Sequence, residues 1–449
     1  MSGNDLQRNT NIEIEQRETF NSKYGFILAC IGSAMGLANI WMFPWRLGAY
    51  GGAAFLIPYL IFLYGFSTFG LMGEFAFGRK MRKGPVGAFE KAFKSKGKKH
   101  GAKVGAIPVI GLTGVLTFYC VVIGWILKYF TLAVMGQFRT MDVDNYFTVF
   151  SASSSAIPWN MAGIIITGLI VSLGIQNGIE KANKYMMTTF YIVVFIIMFR
   201  ALTLPEAMEG VKFLLVPKWE ELFHIKTWIM ALGMTFFTLS LGGAGMVIYG
   251  SYLKDGEDVP DITRKTAIFD LLASLMSALF TIPAAFAFGL DPGAGPKLLF
   301  MTLPKVFNSM PGGYIFGILF FMCVVFAAIS SSINMIEVPV EALIDRLKFS
   351  RSKSILVICI ICAAIGAPLN LDAALFGKFA DLFSVQIFPC GAILCAITMY
   401  WIYGADKARE DINAGAVKPL GKWFEPFMKY VFTPVSAIIV FAGFVLGGF

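Results

Sequence analysis

Charge is scarce in this 449-residue chain: Asp, Glu, Lys and Arg make up 14% of it, against about a quarter of a soluble domain. Histidine is nearly missing. The two present, His100 and His224, fall in predicted loops, which argues against histidine-based catalysis or metal binding. No cysteine lies in a polar segment. Cys30, Cys120, Cys323, Cys359, Cys362, Cys390 and Cys395 all sit inside apolar runs, where they read as small hydrophobes and not as disulfide partners or zinc ligands. The first twenty residues are polar and hold no short apolar core, so no cleavable leader is expected. No paired nucleophile and base is visible, nor a continuous polar stripe that would line a pore. The chain is therefore not expected to be an enzyme, and a channel is a remote alternative. The net charge of +9 is explained by where the cations stand, and nucleic acid is not expected as a partner.

What the chain has is apolar length, with 57% hydrophobic residues and a mean hydropathy of +0.70. Runs of roughly twenty apolar residues mark membrane spans. Eleven are found, near 24–49, 53–80, 107–136, 159–175, 185–204, 228–253, 263–290, 313–344, 354–369, 376–404 and 427–449. An all-α polytopic membrane protein follows. Residues 79–105, after span 2, hold ten Lys or Arg against one Glu. Later even-to-odd loops are basic too, with Lys181 and Lys184; Lys254, Arg264 and Lys265; Arg346, Lys348, Arg351 and Lys353; and Lys407, Arg409, Lys418 and Lys422. The loop after span 3 instead carries Asp142 and Asp144 beside Arg139. The positive-inside rule then puts the amino terminus in the cytoplasm and, with eleven spans, the carboxyl terminus outside the cell membrane. The basic loop is read as setting topology, with lipid-specific binding as the other reading.

Two spans read badly as plain helices. In span 1, GSAMGLANIWMFPWR (32–46) places Gly32, Gly36 and small residues before Asn39 and Pro44. Proline lacks an N–H and clashes with the preceding turn, and glycine weakens a helix interior. Unpaired backbone in hydrocarbon costs several kcal/mol per group, so such a break survives only buried in protein or lining a cavity. Small-xxx-small packing through Gly32 and Gly36 is the alternative, but it leaves Asn39 unexplained. Span 6 repeats the oddity in FFTLSLGGAG (236–245). Two five-span halves, each opened by a broken helix, are the layout of a 5+5 inverted-repeat transporter. The expected segments are a cytoplasmic 1–21, repeats at 22–204 and 205–404, a connector at 405–426 and an eleventh helix at 427–449.

Ionisable residues inside spans are few: Glu74, Lys128, Asp270, Glu337, Glu341 and Asp381. Such groups are costly and by default functional. Lys128 stands near a span end and can snorkel. Asp270, within AIFDLLASLM, needs a cation or a hydrogen-bond cage, so a sodium ligand and a carboxylate paired with another helix's hydroxyls are the two readings. Ser330, Ser331 and Ser332 can satisfy their own helix carbonyls. Beside two broken helices they also suit a hard monovalent cation, which wants oxygens.

The segments GSAMGLANIWMFPW, GGAAFLIPY, GEFAFGR, GIEKANK, FFTLSLGGAGMVIYGSY and FAAISSSINMIE resemble the neurotransmitter:sodium symporter family, especially its eleven-span bacterial members, over about residues 17–404. The resemblance implies a sodium-coupled secondary symporter for an amino acid. One sodium would be held by the Ala34 carbonyl, Asn39, Thr238, Asp270 and the substrate carboxylate. A second would use carbonyls of Gly32, Met35 and Ala327 with the hydroxyls of Ser330 and Ser331. The substrate carboxylate would meet amides near Leu37 and Ala38 and the Tyr119 hydroxyl. Ser33, Ala34, Val115, Phe237, Ser240, Gly243, Ser331 and Met335 would complete the substrate site, with Phe237 and Tyr119 closing over it. Arg17, Tyr252 and Asp345 would close the cytoplasmic side.

Several departures refine these expectations. Family members that carry amines place an acid where Gly36 stands, so Gly36 favours a substrate bringing its own carboxylate. Asp270 replaces a common Asn, and Met234 replaces a Gln expected in a chloride site that Tyr59 and Ser274 would otherwise fit. A fixed carboxylate at Asp270 can supply the negative charge that chloride supplies elsewhere, so transport is expected to be independent of chloride. Ala38 stands in place of a usual Gly. Met42 replaces the usual gate arginine, so Arg46, one helical turn farther out, is expected to pair with Asp381. Gly243, where the bacterial leucine transporter has a bulky aromatic, is expected to leave apolar volume for an aromatic or bulky aliphatic amino acid. The alternative substrate is a non-amino-acid solute such as a betaine, an amine or taurine. A homo-oligomer is compatible with the sequence.

Overall fold

In the computed structural model, residues 19–293 and 298–446 are described, and they are helical with no strand among them. The helices that matter here are α1 (Lys23–Ala34), α2 (Ala38–Ala49), α3 (Ala53–Met81), α4 (Pro85–Lys94), α5 (Gly101–Val134), α6 (Ser154–Ser172) and α7 (Ile175–Leu202). They continue with α8 (Ile225–Thr238), α9 (Gly245–Ser251), α10 (Val259–Ala287), α11 (Gly313–Leu347), α12 (Arg351–Leu369), α13 (Ala373–Asn413) and α14 (Phe424–Val445). Among the described residues nine of these are long and apolar enough to cross a membrane, or ten if α1 and α2, bent by 52°, are one span. The expected sixth span is not among them. Residues 239–244 break it into α8 and α9, each too short alone.

Both breaks fall where glycines and small polar residues cluster. After Ala34 the chain bends through Met35–Leu37 and restarts with a wide π-type turn at Ala38–Met42. After Thr238, Ser240 takes a left-handed φ of +53° and Gly243 one of +68°; the first is uncommon for a residue with a side chain. The two breaks touch, since the Ser240 hydroxyl donates to the Ser33 carbonyl at 3.1 Å. A buried carboxylate supports the second, with Glu74 Oε1 accepting the Gly243 N–H at 2.9 Å. An N–H freed by the break thus finds its acceptor inside the protein, as backbone away from water must.

Small residues let backbones approach elsewhere. A Cβ at Gly78 of α3 would lie 1.9 Å from the Val247 carbonyl oxygen of α9, and one at Gly250 would lie 2.4 Å from the Phe75 carbonyl oxygen. Close glycine-mediated crossings of this kind drive helix association in bilayers. Gly78→Ala is expected to cost at least about 1–3 kcal/mol, the usual range for overpacking. A lower midpoint in a detergent thermal-unfolding assay checks this, and an unchanged midpoint contradicts it.

Three expected boundaries move. α7 begins ten residues before the expected 185, so Lys181 and Lys184 lie in its opening turns and not in a loop. Its polar start is stabilised by residues 19–22. Glu180 accepts the Asn21 N–H at 2.7 Å and the Ser22 hydroxyl at 3.0 Å, and Gln176 donates to the Thr19 carbonyl at 2.9 Å. α5 starts at Gly101 instead of 107, and α13 runs on to Asn413, into the expected connector. The outer sides of α12 and α14 expose large apolar residues such as Leu356, Ile360 and Phe441, as a multi-pass membrane protein requires.

Candidate functional site

Around the first break, oxygens from four helices converge. Asn39, on the π turn opening α2, donates from Nδ2 to Asp270 Oδ1 at 2.8 Å and to Ser274 Oγ at 2.8 Å. Tyr59 bonds Thr238 Oγ1 at 3.1 Å and donates to Asp270 Oδ2 at 3.4 Å. Asp270 is fully buried, and no lysine or arginine pairs with it among the described residues. Asn39 Oδ1 is buried with no hydrogen-bond partner. A buried anion without a cation and an orphaned amide oxygen beside it are both expensive, and a bound alkali ion relieves both. Asn39, Thr238 and Asp270 thus form one cluster, joined by Tyr59 and Ser274.

Below the same break lies a second oxygen cluster. Ser330 Oγ donates to the carbonyls of Gly32 and Ala327, both at 2.9 Å. Ser331 Oγ reaches the Gly32 carbonyl at 3.2 Å and the Ser33 carbonyl at 3.3 Å. Met35 stands nearby at the start of the break, with its sulfur taking the Tyr191 hydroxyl at 2.8 Å. Asn183, which the sequence placed in a loop, is buried on α7 against Gly32. A Cβ on Gly32 would lie 2.0 Å from its Oδ1.

Between the breaks is a small cavity of about 30 Å³. Ser33, Ala34, Leu37, Ala38, Val115, Tyr119, Phe237, Ser240, Ser331 and Met335 line it, together with Gly36, Leu112, Gly245, Asn334 and Phe388. The Leu37 N–H donates to the Tyr119 hydroxyl at 3.3 Å. Leu112 and Phe388 carry no motif that marks them, and only the packing of α5 and α13 brings them there, while Gly245 and Asn334 fall in the marked segments FFTLSLGGAG and FAAISSSINMIE.

Gly243 departs from expectation. It does not line the cavity, and its missing side chain points away, toward the Gly391 carbonyl at 2.5 Å and Cys395 Cβ at 2.8 Å. Its positive φ turns it outward, so no aromatic-sized volume opens there. Phe237 and Tyr119, expected to close over the substrate, both line the cavity; Phe237 meets Phe388 edge to face at 6.5 Å, while the Tyr119 hydroxyl takes the Leu37 amide.

Phe237 and Phe388 also border a larger cavity of about 500 Å³, lined by Trp41, Trp45, Arg46, Phe376 and Asp381 among others. The two rings thus separate a vestibule from the small cavity. Arg46 and Asp381 both face this vestibule, but no ion pair joins them. The Arg46 guanidinium is buried over the Trp45 ring at 4.7 Å with Nη1 3.1 Å from Met230 Sδ, while Asp381 is exposed. An arginine packed on sulfur and indole is held away from the vestibule mouth where Asp381 stands.

The opposite face, which carries the basic loops, is closed. Tyr252 donates to Glu337 Oε1 at 2.7 Å, and Arg351 grips both Glu337 oxygens at 3.0 and 2.7 Å. Phe20 packs edge to face on Tyr249 and Tyr252. Asp345 lies 3.9 Å from Lys83 Nζ and 3.8 Å from Arg346 Nε. Arg17 lies outside the described residues. Among the described residues Tyr252 is tied to Glu337, one of the acids singled out within a span, and the sequence alone did not indicate its arginine. Arg351→Gln leaves the fully buried Glu337 short of its cation, a change on the order of 3 kcal/mol for a buried pair. The closed face should loosen. Cys30, buried on α1, is then expected to react with a water-soluble thiol reagent, mapped by mass spectrometry; an unreactive Cys30 counts against this tie.

A helical bundle with two touching broken helices, oxygen clusters at the breaks and one open vestibule defines a membrane transporter of the inverted-repeat type. The sequence profile of the Sodium:neurotransmitter symporter family matches residues 17–153 and 150–447, and the chain belongs to that family. It is 34% identical to an uncharacterised sodium-dependent transporter of Methanocaldococcus jannaschii over 95% of this chain and 89% of the relative. It is 33% identical to one of Bacillus subtilis over 94% of this chain and 96% of the relative. Its fold matches the crystal structure of MhsT in complex with L-phenylalanine, with a TM-score of 0.86 and 32% identity over 95% of this chain and 99% of that one.

Proposed function

We propose that this sodium-dependent transporter imports a hydrophobic amino acid, aromatic residues included, with two sodium ions and without chloride. The observation that carries the reading is the union of Asn39, Thr238 and Asp270 from three helices beside a cavity whose walls include the Leu37–Tyr119 bond. The first sodium sits among Asn39, Thr238, Asp270 and the Ala34 carbonyl, and the second among Gly32, Met35, Ala327, Ser330 and Ser331. The substrate carboxylate lies by Gly36, Leu37 and Tyr119 and completes the first sodium's shell. Leu112, Val115, Met335 and Phe388 take the apolar side chain, with Phe237 and Phe388 parting to admit it. The basic face is cytoplasmic and the vestibule opens outward. The likeness to MhsT, solved with L-phenylalanine, supports the substrate class.

Coupling follows from shared ligands. A desolvated sodium needs several oxygens at once, so it favours the state that gathers those helices, which is differential affinity between conformations. Ion and substrate complete one shell, and each raises the other's affinity reciprocally. Each charge moved inward across 100 mV contributes about 2.3 kcal/mol. Uptake of labelled L-phenylalanine into proteoliposomes under an imposed sodium gradient, competed by the twenty amino acids, tests the reading. Sodium-stimulated uptake competed best by aromatic and large aliphatic amino acids is expected. Uptake indifferent to sodium removes the coupling, and competition only by betaine, taurine or amines removes the substrate class.

A further inference from the structure

The basic run after α3 contributes no residue to the two cavities at the breaks. Its single acid is already engaged, because Lys94 and Arg346 lie 2.6 and 2.5 Å from Glu90 and hold its carboxyl below the usual range. Lys96, Lys98 and Lys99, between α4 and α5, are exposed and join no ion pair among the described residues. Lys98 stands at the rim of an open groove of about 540 Å³ between α13 and α14. Ile393, Ile397 and Trp401 form one wall, and Pro434 and Ala437 the other. The groove's one hydroxyl is spent, since Thr433 donates to the Met428 carbonyl at 2.8 Å.

The two ends of this groove differ in chemistry. Trp401, which lines the groove with Lys98, meets Tyr430 edge to face at 5.7 Å, and both are more than half exposed. Such aromatics sit at headgroup level, so the lysine is at the interface and Ile393 is deeper in hydrocarbon. A trough that is left unfilled forfeits dispersion contacts along its lining, and largely apolar walls offer water few partners. An acyl chain would restore those contacts. We propose that the groove binds an anionic glycerophospholipid of the leaflet on the basic face, with a chain along Ile397 and Pro434 and the phosphodiester at Lys98. Zwitterionic lipid offers the same chains without net charge, so selectivity resides in Lys98 and its neighbours. This site is independent of the substrate reading.

The test is native mass spectrometry of the full chain titrated with phosphatidylglycerol or phosphatidylcholine. The native protein is expected to retain phosphatidylglycerol preferentially. Lys98→Gln should weaken that lipid about fivefold, the effect of one interfacial cation, and leave phosphatidylcholine unchanged. Ile397→Trp, which fills the trough, should weaken both lipids. Lys418→Gln, an exposed cation of the same face outside the groove, should change neither. Sodium retention by each variant reports that it is folded. Equal retention of the two lipids by the native protein, an unchanged Lys98→Gln, or an equal loss in Lys418→Gln overturns the site.

Discussion

Asp270→Asn is expected to abolish sodium-coupled uptake in gluconate medium and to regain part of it in chloride. The substitution keeps size and hydrogen-bond reach but removes the only fixed negative charge in a cluster of hydroxyls and amides. Asn39, Tyr59 and Ser274 surround that carboxylate and stay in place. Removing one member of a buried charge pair typically costs about 3–5 kcal/mol, or more than a hundredfold in affinity. Sodium affinity should fall by that order. The same donors that faced the carboxylate are then free to face an anion from solution, which restores the missing charge. Parallel uptake in chloride and gluconate decides the matter. Strict chloride dependence of the native protein, or a variant indifferent to both media, would sink the argument.

The second large effect is at Gly36. A Cβ there would lie 2.5 Å from Ser331 Oγ and 3.0 Å from the Tyr119 hydroxyl. Both are ends of side chains that can give way, so Gly36→Ala should keep part of its activity. Gly36→Asp adds a carboxylate at the position proposed for that of the substrate, with Tyr119 beside it. Amino-acid uptake is expected to fall to background, while sodium still binds because the new carboxylate completes its shell. Equilibrium sodium binding and substrate binding, measured on one preparation, separate the two effects. Unimpaired amino-acid uptake by Gly36→Asp would show that the substrate carboxylate lies elsewhere.

Both broken helices were legible because glycine, proline and asparagine are out of place in an apolar run, and position in the chain does not alter that. Serine and aspartate at mid-membrane depth were legible for the same reason. The start of α7 was not. Its Gln176, Glu180 and Asn183 look like a loop until residues 19–22 are seen to bind two of them. The Arg351–Glu337 tie and the Phe237–Phe388 ring contact each join residues far apart in the chain that no local pattern connects.

The sequence by itself determined that the chain crosses a membrane many times, where its cations gather, and which two spans cannot run unbroken, since hydropathy and backbone propensity act within a few residues. Tertiary structure decided which way each residue at a break faces. Gly243 turned out of the cavity through the sign of one φ angle, Arg46 was drawn onto Met230 and Trp45, and Asn183 was set against Gly32. Direction at a break depends on what packs around it, and no helical period survives there to carry it.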